Sequence, residues 1–180
     1  GHGIASEIIH DDTGKKANLH ALVGPERDGG VVLSGHTDVV PVDGQDWESD
    51  PFTVRAAGDR LYGRGTSDMK SFIAIGLAMV PRLVERKLSI PIHFALSYDE
   101  EVGCHGIHGL VPKLAATATK PAVCIVGEPT EMKVVNAHKG VRVIATRLRG
   151  FEAHSSATHI GVSAVMYAAE LIGCLNRIAE

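Results

Sequence analysis

Apolar and polar positions alternate along the chain with two different periods. Residues 17–23 and 31–34 are short apolar runs, split by the turn-rich Gly24-Pro25-Glu26-Arg27-Asp28-Gly29-Gly30, and are predicted strands. Val31-Val32-Leu33 is continuously apolar, as expected of a strand covered on both faces. Residues 90–98 and 122–126 are two further runs of the same kind. Between them, residues 68–87 place Phe72, Ile75, Met79 and Leu83 at intervals of three and four, which predicts a helix with those four on one stripe. Residues 106–116 predict a second helix. The segment 41–64 is rich in Gly, Asp and Pro and predicts a long loop with a short hairpin. Strands that alternate with helices imply an α/β layer structure with a largely parallel sheet.

After Glu128 the texture changes. Residues 133–137 and 140–148 alternate like antiparallel strands, and residues 162–178 form one amphipathic helical pattern. A boundary is expected near residues 136–140, dividing the chain into residues 1–137 and 138–180. The second part holds only strand, strand and helix, which is small for a free-standing domain. No internal repeat or low-complexity tract is visible.

Composition narrows the function classes. The 180 residues are 44% hydrophobic and 22% charged, an ordinary globular balance. A net charge of −3 gives no basic field for nucleic acid or anionic membrane, and 4% aromatics offers little surface for stacking on bases. The longest apolar stretch, around residues 72–80, is too short to cross a bilayer. Cys104, Cys124 and Cys174 are odd in number, widely spaced and without a CxxC, which argues against a disulfide framework and for the reducing cytoplasm. The opening Gly1-His2-Gly3 has no basic segment followed by an apolar run, and is expected to be an artificial start or an internal cut rather than a native N-terminus.

Chemistry gathers at the ends of the predicted strands. Residues 31–34 lead into Gly35-His36-Thr37-Asp38, residues 90–98 into Asp99-Glu100-Glu101, and residues 122–126 into Gly127-Glu128. In open α/β sheets ligands bind beyond the carboxyl ends of the strands, so groups far apart in sequence can converge there. Asp68 joins from the Gly63-Arg64-Gly65-Thr66-Ser67-Asp68 turn that enters the long helix. Carboxylates crowded into one cleft repel, and divalent cations remove that conflict. A mixed imidazole and carboxylate set suits zinc, with cobalt or manganese as substitutes. Two such ions need a bridging carboxylate, and water between them becomes a good nucleophile near neutral pH. Glu100 and Glu101 fit a split role, one binding metal and one taking a proton. Asp38 is spaced to hold the His36 ring from its far side.

Each element taken alone has a simpler reading. His36 is a hydrogen-bonded residue at a strand end, Glu100-Glu101 a solvated helix start, Asp68 a helix N-cap, and Glu128 the end of a strand before Pro129. His154 alone reads as a loop histidine.

Four segments together resemble the M20 metallopeptidase and deacylase family. They are Ser34-Gly35-His36-Thr37-Asp38-Val39-Val40-Pro41, Gly63-Arg64-Gly65-Thr66-Ser67-Asp68-Met69-Lys70, Asp99-Glu100-Glu101-Val102-Gly103-Cys104 and Gly127-Glu128-Pro129-Thr130. Within the family, residues 97–104, residues 124–130 and His138-Lys139-Gly140 look most like the acetylornithine deacetylase branch. The resemblance implies a three-layer α/β zinc-peptidase-like catalytic domain with a mostly parallel central sheet, incomplete here. It also implies the start of a ferredoxin-like α+β lid and dimerisation domain. It implies two divalent ions: His36 and Glu128 on one, Glu101 on the other, Asp68 bridging, with a cis peptide after Asp68. Glu100 becomes the general base and later the acid, Asp38 orients His36, and His154 polarises the scissile carbonyl, often across a dimer interface. The other histidines, including His93, His105 and His108, keep structural roles.

The chain departs from the family pattern at its C-terminal end, where a further metal-binding histidine is expected beyond the lid. His159 lies in the lid segment and does not replace it, so the second metal lacks a ligand within these residues. An N-terminal helix before the first strand is expected to be missing as well. The implied reaction is hydrolysis of the amide in a small N-acylated amino acid by a homodimer, with no nucleic-acid or membrane partner. Acetylornithine is the first choice of substrate. The alternatives are another M20 amidohydrolase, such as a desuccinylase, aminoacylase or carboxypeptidase, or an inactive binding or dimerisation module.

Overall fold

The computed structural model of the chain describes residues 2–117 and 119–179. It divides into two compact units, Gly1–Val134 and Val135–Glu180. The first is built on one sheet of five strands. In chain order these are β1 (Ser6–His10), β2 (Ala17–Val23), β3 (Val31–His36), β6 (Ile92–Ser97) and β7 (Val123–Val126). A separate hairpin, β4 (Arg55–Ala57) with β5 (Arg60–Tyr62), stands in the Gly- and Pro-rich loop where a hairpin was expected. Helix α1 spans Lys70–Glu85 and α2 spans Ile107–Ala116.

The strand order is β1-β2-β6-β3-β7. The β6–β3 and β3–β7 pairs are parallel, while β1–β2 and β2–β6 are antiparallel. The sheet is therefore mixed, and its parallel half is the half whose strands end in His36, the Asp99-Glu100-Glu101 turn and Glu128. Strand β1 has no strong apolar pattern, is mostly exposed, and owes its place to pairing with β2 from Ser6–Ala21 to His10–Ala17. That pairing was not readable from local sequence.

Side chains alternate across the sheet with period two, so each face takes its own helix. On one face Ala21, Val23 and Phe94 pack with Val80 and Leu83 of α1. On the other, Val32 and Ala95 pack with Leu110, Ile107 and Leu114 of α2. This is a helix–sheet–helix sandwich. Burying a side chain such as Phe94 contributes roughly 1.5–3 kcal/mol each; Phe94 is 3% exposed.

The face that α1 turns to the sheet differs from the predicted stripe. Ile75 and Met79 are exposed; Leu83 lies inward as expected, joined by Ile73, Gly76 and Val80. Gly76 is the reason. A Cβ there would stand 3.0 Å from Cε1 of Phe94, so the aromatic ring fills the space that a side chain on the helix would take. An apolar count cannot score a glycine as a contact. Gly35 plays the same part on the strand, where an added Cβ would lie 2.9 Å from Cε of Met69 and 3.1 Å from Cγ1 of Ile73.

Across the boundary between the units, residues 133–150 form no strand and are exposed. The alternation there names the face each side chain would present, but a strand needs a hydrogen-bonded neighbour, and among the described residues neither segment has one. Regular structure resumes with a single bridge between Phe151 and Val162, a 3-10 turn at Thr158–Ile160 and helix α3 at Ala164–Ala179. Helix α3 leaves Val165, Met166, Ile172, Leu175 and Ile178 exposed.

Candidate metal centre

Strands β6, β3 and β7 are neighbours and run the same way, so their carboxyl ends share one edge of the sheet. His36 is the last residue of β3, Asp99-Glu100-Glu101 follow β6, and Gly127-Glu128 follow β7. The backbone makes the meeting close. The Thr37 amide donates to the carbonyl of Ser97 at 2.8 Å, and the Gly127 amide donates to the carbonyl of Ser34 at 3.0 Å. Gly127 also lies against the ring of Phe72, where a larger residue has no room.

His36 is the centre of the cluster and only 2% exposed. Its Nδ1 lies 3.0 Å from the carbonyl oxygen of Asp38. A carbonyl only accepts, so Nδ1 carries the proton of the neutral ring and Nε2 presents its lone pair. Around Nε2 stand three carboxylate oxygens: Oδ1 of Asp68 at 3.0 Å, Oε1 of Glu128 at 3.7 Å and Oε2 of Glu100 at 3.8 Å. Among the described residues, no lysine or arginine pairs with any of these three acids. A lone pair facing several anions is stable only with a positive charge between them, either a proton or a metal ion. The donor set is therefore the kind that a divalent cation takes. One ligand atom each from His36, Asp68 and Glu128 lie within 4.8 Å of one another.

Asp68 does not cap α1. The helix starts at Lys70, its N-cap position is Met69, and no side-chain hydrogen bond caps it. The Asp68 carboxylate turns to His36 instead. The Asp68–Met69 peptide bond is cis, as the resemblance implied. Met69 is completely buried, and its sulfur accepts the backbone amide of His36 at 3.3 Å.

Asp38 reaches across the site. Its Oδ1 accepts the amide of Glu100 at 3.2 Å and its Oδ2 the amide of Glu101 at 3.0 Å, while Oδ1 stands 3.5 Å from Nδ1 of His36. One carboxylate thus ties the end of β3 to the acidic turn after β6. That turn is closed by its own backbone, with the amides of Gly103 and Cys104 donating to the carbonyl of Glu100. Asp99 adopts a left-handed φ of 53° and is held from the β1–β2 hairpin by an ion pair with Lys16. Sequence reasoning gave no role to Lys16, because 83 positions separate it from Asp99.

The electrostatics follow from this crowding. Burial disfavours the His36 imidazolium, but the Asp68 carboxylate and the Asp38 carbonyl outweigh it and raise the histidine above its ordinary range. Burial also pushes the Asp38 carboxyl up, yet the two donated amides prevail and hold it below the usual carboxylate range. Glu101 and Glu128 are raised, first by burial and then by the charge of Asp68. Glu101 belongs to the same field of charge, but it is not in the group of three whose ligand atoms meet. His154 lies in the second unit, exposed, with Nδ1 2.9 Å from the hydroxyl of Ser156.

Three observations from known proteins bear on this centre. The family model described as peptidase family M20/M25/M40 matches residues 32–180. An acetylornithine deacetylase of Edwardsiella ictaluri is 40% identical over 164 residues, covering 91% of this chain and 42% of the relative. Another, of Aliivibrio salmonicida, is 37% identical over 176 residues, covering 98% and 45%. The chain thus spans under half the length of these relatives. Among solved structures, human carnosine dipeptidase 1 superposes with a TM-score of 0.58 at 25% identity, over 69% of this chain and 29% of the other. A tripeptidase from Staphylococcus aureus gives 0.61 at 19% identity, over 96% and 47%, a likeness of fold. With the matched segment running through β3, α1, β6, α2 and β7 and carrying every residue of the cluster, the chain belongs to peptidase family M20/M25/M40, a family of metal-dependent hydrolases.

Proposed function

We propose that the protein of which these residues are part is a metal-dependent amidohydrolase that converts N2-acetyl-L-ornithine and water to L-ornithine and acetate, a step in arginine biosynthesis. The observation that carries the reaction class is the buried Nε2 of His36 facing the carboxylates of Asp68, Glu100 and Glu128. The choice of substrate rests on relatives named acetylornithine deacetylase at 37–40% identity.

In this reading His36 and Glu128 would hold one ion, Asp68 would be shared, and Glu101 would serve a second. Zinc suits the donor set best, with cobalt or manganese as substitutes. Bound there, the ions would supply Lewis acidity and lower the pKa of nearby water. Glu100 would accept a proton from the attacking water as its oxygen bonds to the carbonyl carbon, and pass it to the leaving amine nitrogen as the amide C–N bond breaks. Asp38 keeps His36 oriented and holds the backbone of Glu100 in place. His154 donates to the oxygen of the scissile carbonyl as negative charge builds on it. Residues 1–137 form the metal-binding part of the catalytic domain, and residues 138–180 begin a ferredoxin-like lid through which two copies pair.

No described helix is long and apolar enough to cross a membrane. Three free cysteines, all exposed, favour a reducing compartment such as the cytoplasm.

The test uses the complete protein loaded with zinc or cobalt. Glu100→Gln should retain metal and lose nearly all turnover; a variant that still turns over well sinks the assignment of the base. A panel of acetylornithine, succinyl-diaminopimelate, other N-acyl amino acids and dipeptides then reads the substrate. Preference for any other member replaces the deacetylase reading but leaves the hydrolase one intact.

A further inference from the structure

We infer that Lys70 is a positioning residue for the metal centre, the side chain that sets the separation of His36 and Asp68; this rests on the reading of the cluster as a divalent metal site. Lys70 is the first residue of α1, two positions after Asp68. Its ammonium donates to the carbonyl oxygen of Thr37, the residue that follows His36. Its backbone amide donates to the carbonyl of Gly65 at 2.8 Å. A single residue therefore fastens three things together: the turn that presents Asp68, the start of the helix and the end of β3.

The surroundings are shaped for that link. The aliphatic stem of Lys70 runs beside Gly65, which has a left-handed φ of 82°. A Cβ on Gly65 would stand 3.2 Å from Cδ of Lys70 and 2.8 Å from Cγ1 of Val39, so only glycine leaves the path open. The acceptor is itself anchored, because the hydroxyl of Thr37 donates to the carbonyl of Ser97 at 3.1 Å and its amide to the same oxygen at 2.8 Å. Lys70 is thus tied to a fixed point at the end of the sheet.

Besides the His36–Asp68 contact itself, the His36 amide on the sulfur of Met69 also links these segments. A thioether is a weak acceptor and does not hold a distance well. A charged donor on a carbonyl is stronger and more directional. Lys70 is exposed as a residue, so its role is not core packing. Partners that orient metal ligands typically matter about 10–100-fold for metal affinity.

The experiment compares the full chain with its Lys70→Met and Lys70→Arg variants. Methionine keeps the stem and removes the donors, whereas arginine restores a charged donor. Zinc affinity is measured by competition with a chromophoric chelator, the visible spectrum of the cobalt-loaded site is recorded, and the metal-free proteins are melted. Lys70→Met should melt within about 2 °C of the parent. It should bind zinc roughly 10–100-fold more weakly and give an altered cobalt spectrum. Lys70→Arg should recover most of the affinity and the parent spectrum. Unchanged zinc affinity in Lys70→Met overturns the inference. So does a loss of affinity that arginine leaves unrestored, or one matched by an equal loss of metal-free stability. A parent chain that binds no zinc at all removes the metal-site reading and the inference with it, a result distinct from the others.

Discussion

Nε2 of His36 lies 3.0 Å from Oδ1 of Asp68, although 32 positions separate the two residues. Nothing local brings them together. The end of β3 supplies one, and the turn before α1 supplies the other. Their meeting is the point from which the proposed chemistry of the centre follows.

Asp38 should be sensitive although its proposed role is to orient His36 rather than to bind an ion. Its carboxylate holds the Glu100 and Glu101 amides and backs the His36 ring. Asp38→Ala leaves those groups without their shared acceptor. Zinc affinity, measured by calorimetry, should drop about 10–100-fold, as for other partners of metal ligands. An affinity within error of the parent contradicts the role of Asp38.

The carboxylates make the metal-free site a source of instability. Glu128 and Glu101 have folded pKa values raised above the ordinary 4.5. A raised acid favours the fold while it is protonated, and that contribution is lost as pH rises through the folded pKa. Each acid, once ionised, repels the Asp68 carboxylate. Glu128→Gln should therefore raise the melting temperature of the metal-free chain at pH 7, have little effect near pH 4, and abolish the stabilisation that zinc gives the parent. A lower metal-free melting temperature at pH 7 rules out this balance of charge.

His20 and His93 predict a second pH dependence, away from the metal centre. Nε2 of His20 lies 3.1 Å from Nδ1 of His93, and both rings are buried between the sheet and α2. Burial lowers both histidines from the ordinary 6.5, with His20 adding to the effect on His93. Glu7 and Lys113, an ion pair with each other, act on His20 through their charge, Glu7 raising and Lys113 lowering it. The unfolded chain then takes up protons before the fold does. Stability is full above about pH 6.5 and falls as pH drops below it toward the folded values. Urea unfolding at pH 7.5 and 5.5 should show this loss, and His93→Leu should lessen it. A loss of equal size in the variant excludes the pair as its source.

Gly35 tests the packing that seats α1 beside His36 and Asp68. An added methyl meets Met69 and Ile73, and Met69 has no exposed surface through which to yield. Gly35→Ala should cost about 1–3 kcal/mol, the usual range for overpacking a filled core. Denaturant unfolding of the metal-free chain measures it directly. A neutral substitution means the helix moves freely against β3.

Much of this arrangement was legible in the sequence. The apolar runs placed β2, β3, β6 and β7, the three-and-four spacing placed α1, and acids or a histidine stood just past three of the strand runs. Those features are local, set by period and by neighbouring residues, so a linear reading finds them. The inward face of α1 was misread because Gly76 packs through its missing side chain. Strand β1 and the position of β6 between β2 and β3 came only from pairing across the chain. The segments at 133–148 kept their alternation without becoming strands. The sequence by itself determined which chemical groups are available and that they end strands. Only the tertiary structure decided their order along one sheet edge, the 3.0 Å approach of His36 and Asp68, and the links through Asp38 and Lys70. Distances between residues far apart in sequence are set by how strands pair and helices pack, and no periodicity along the chain encodes them.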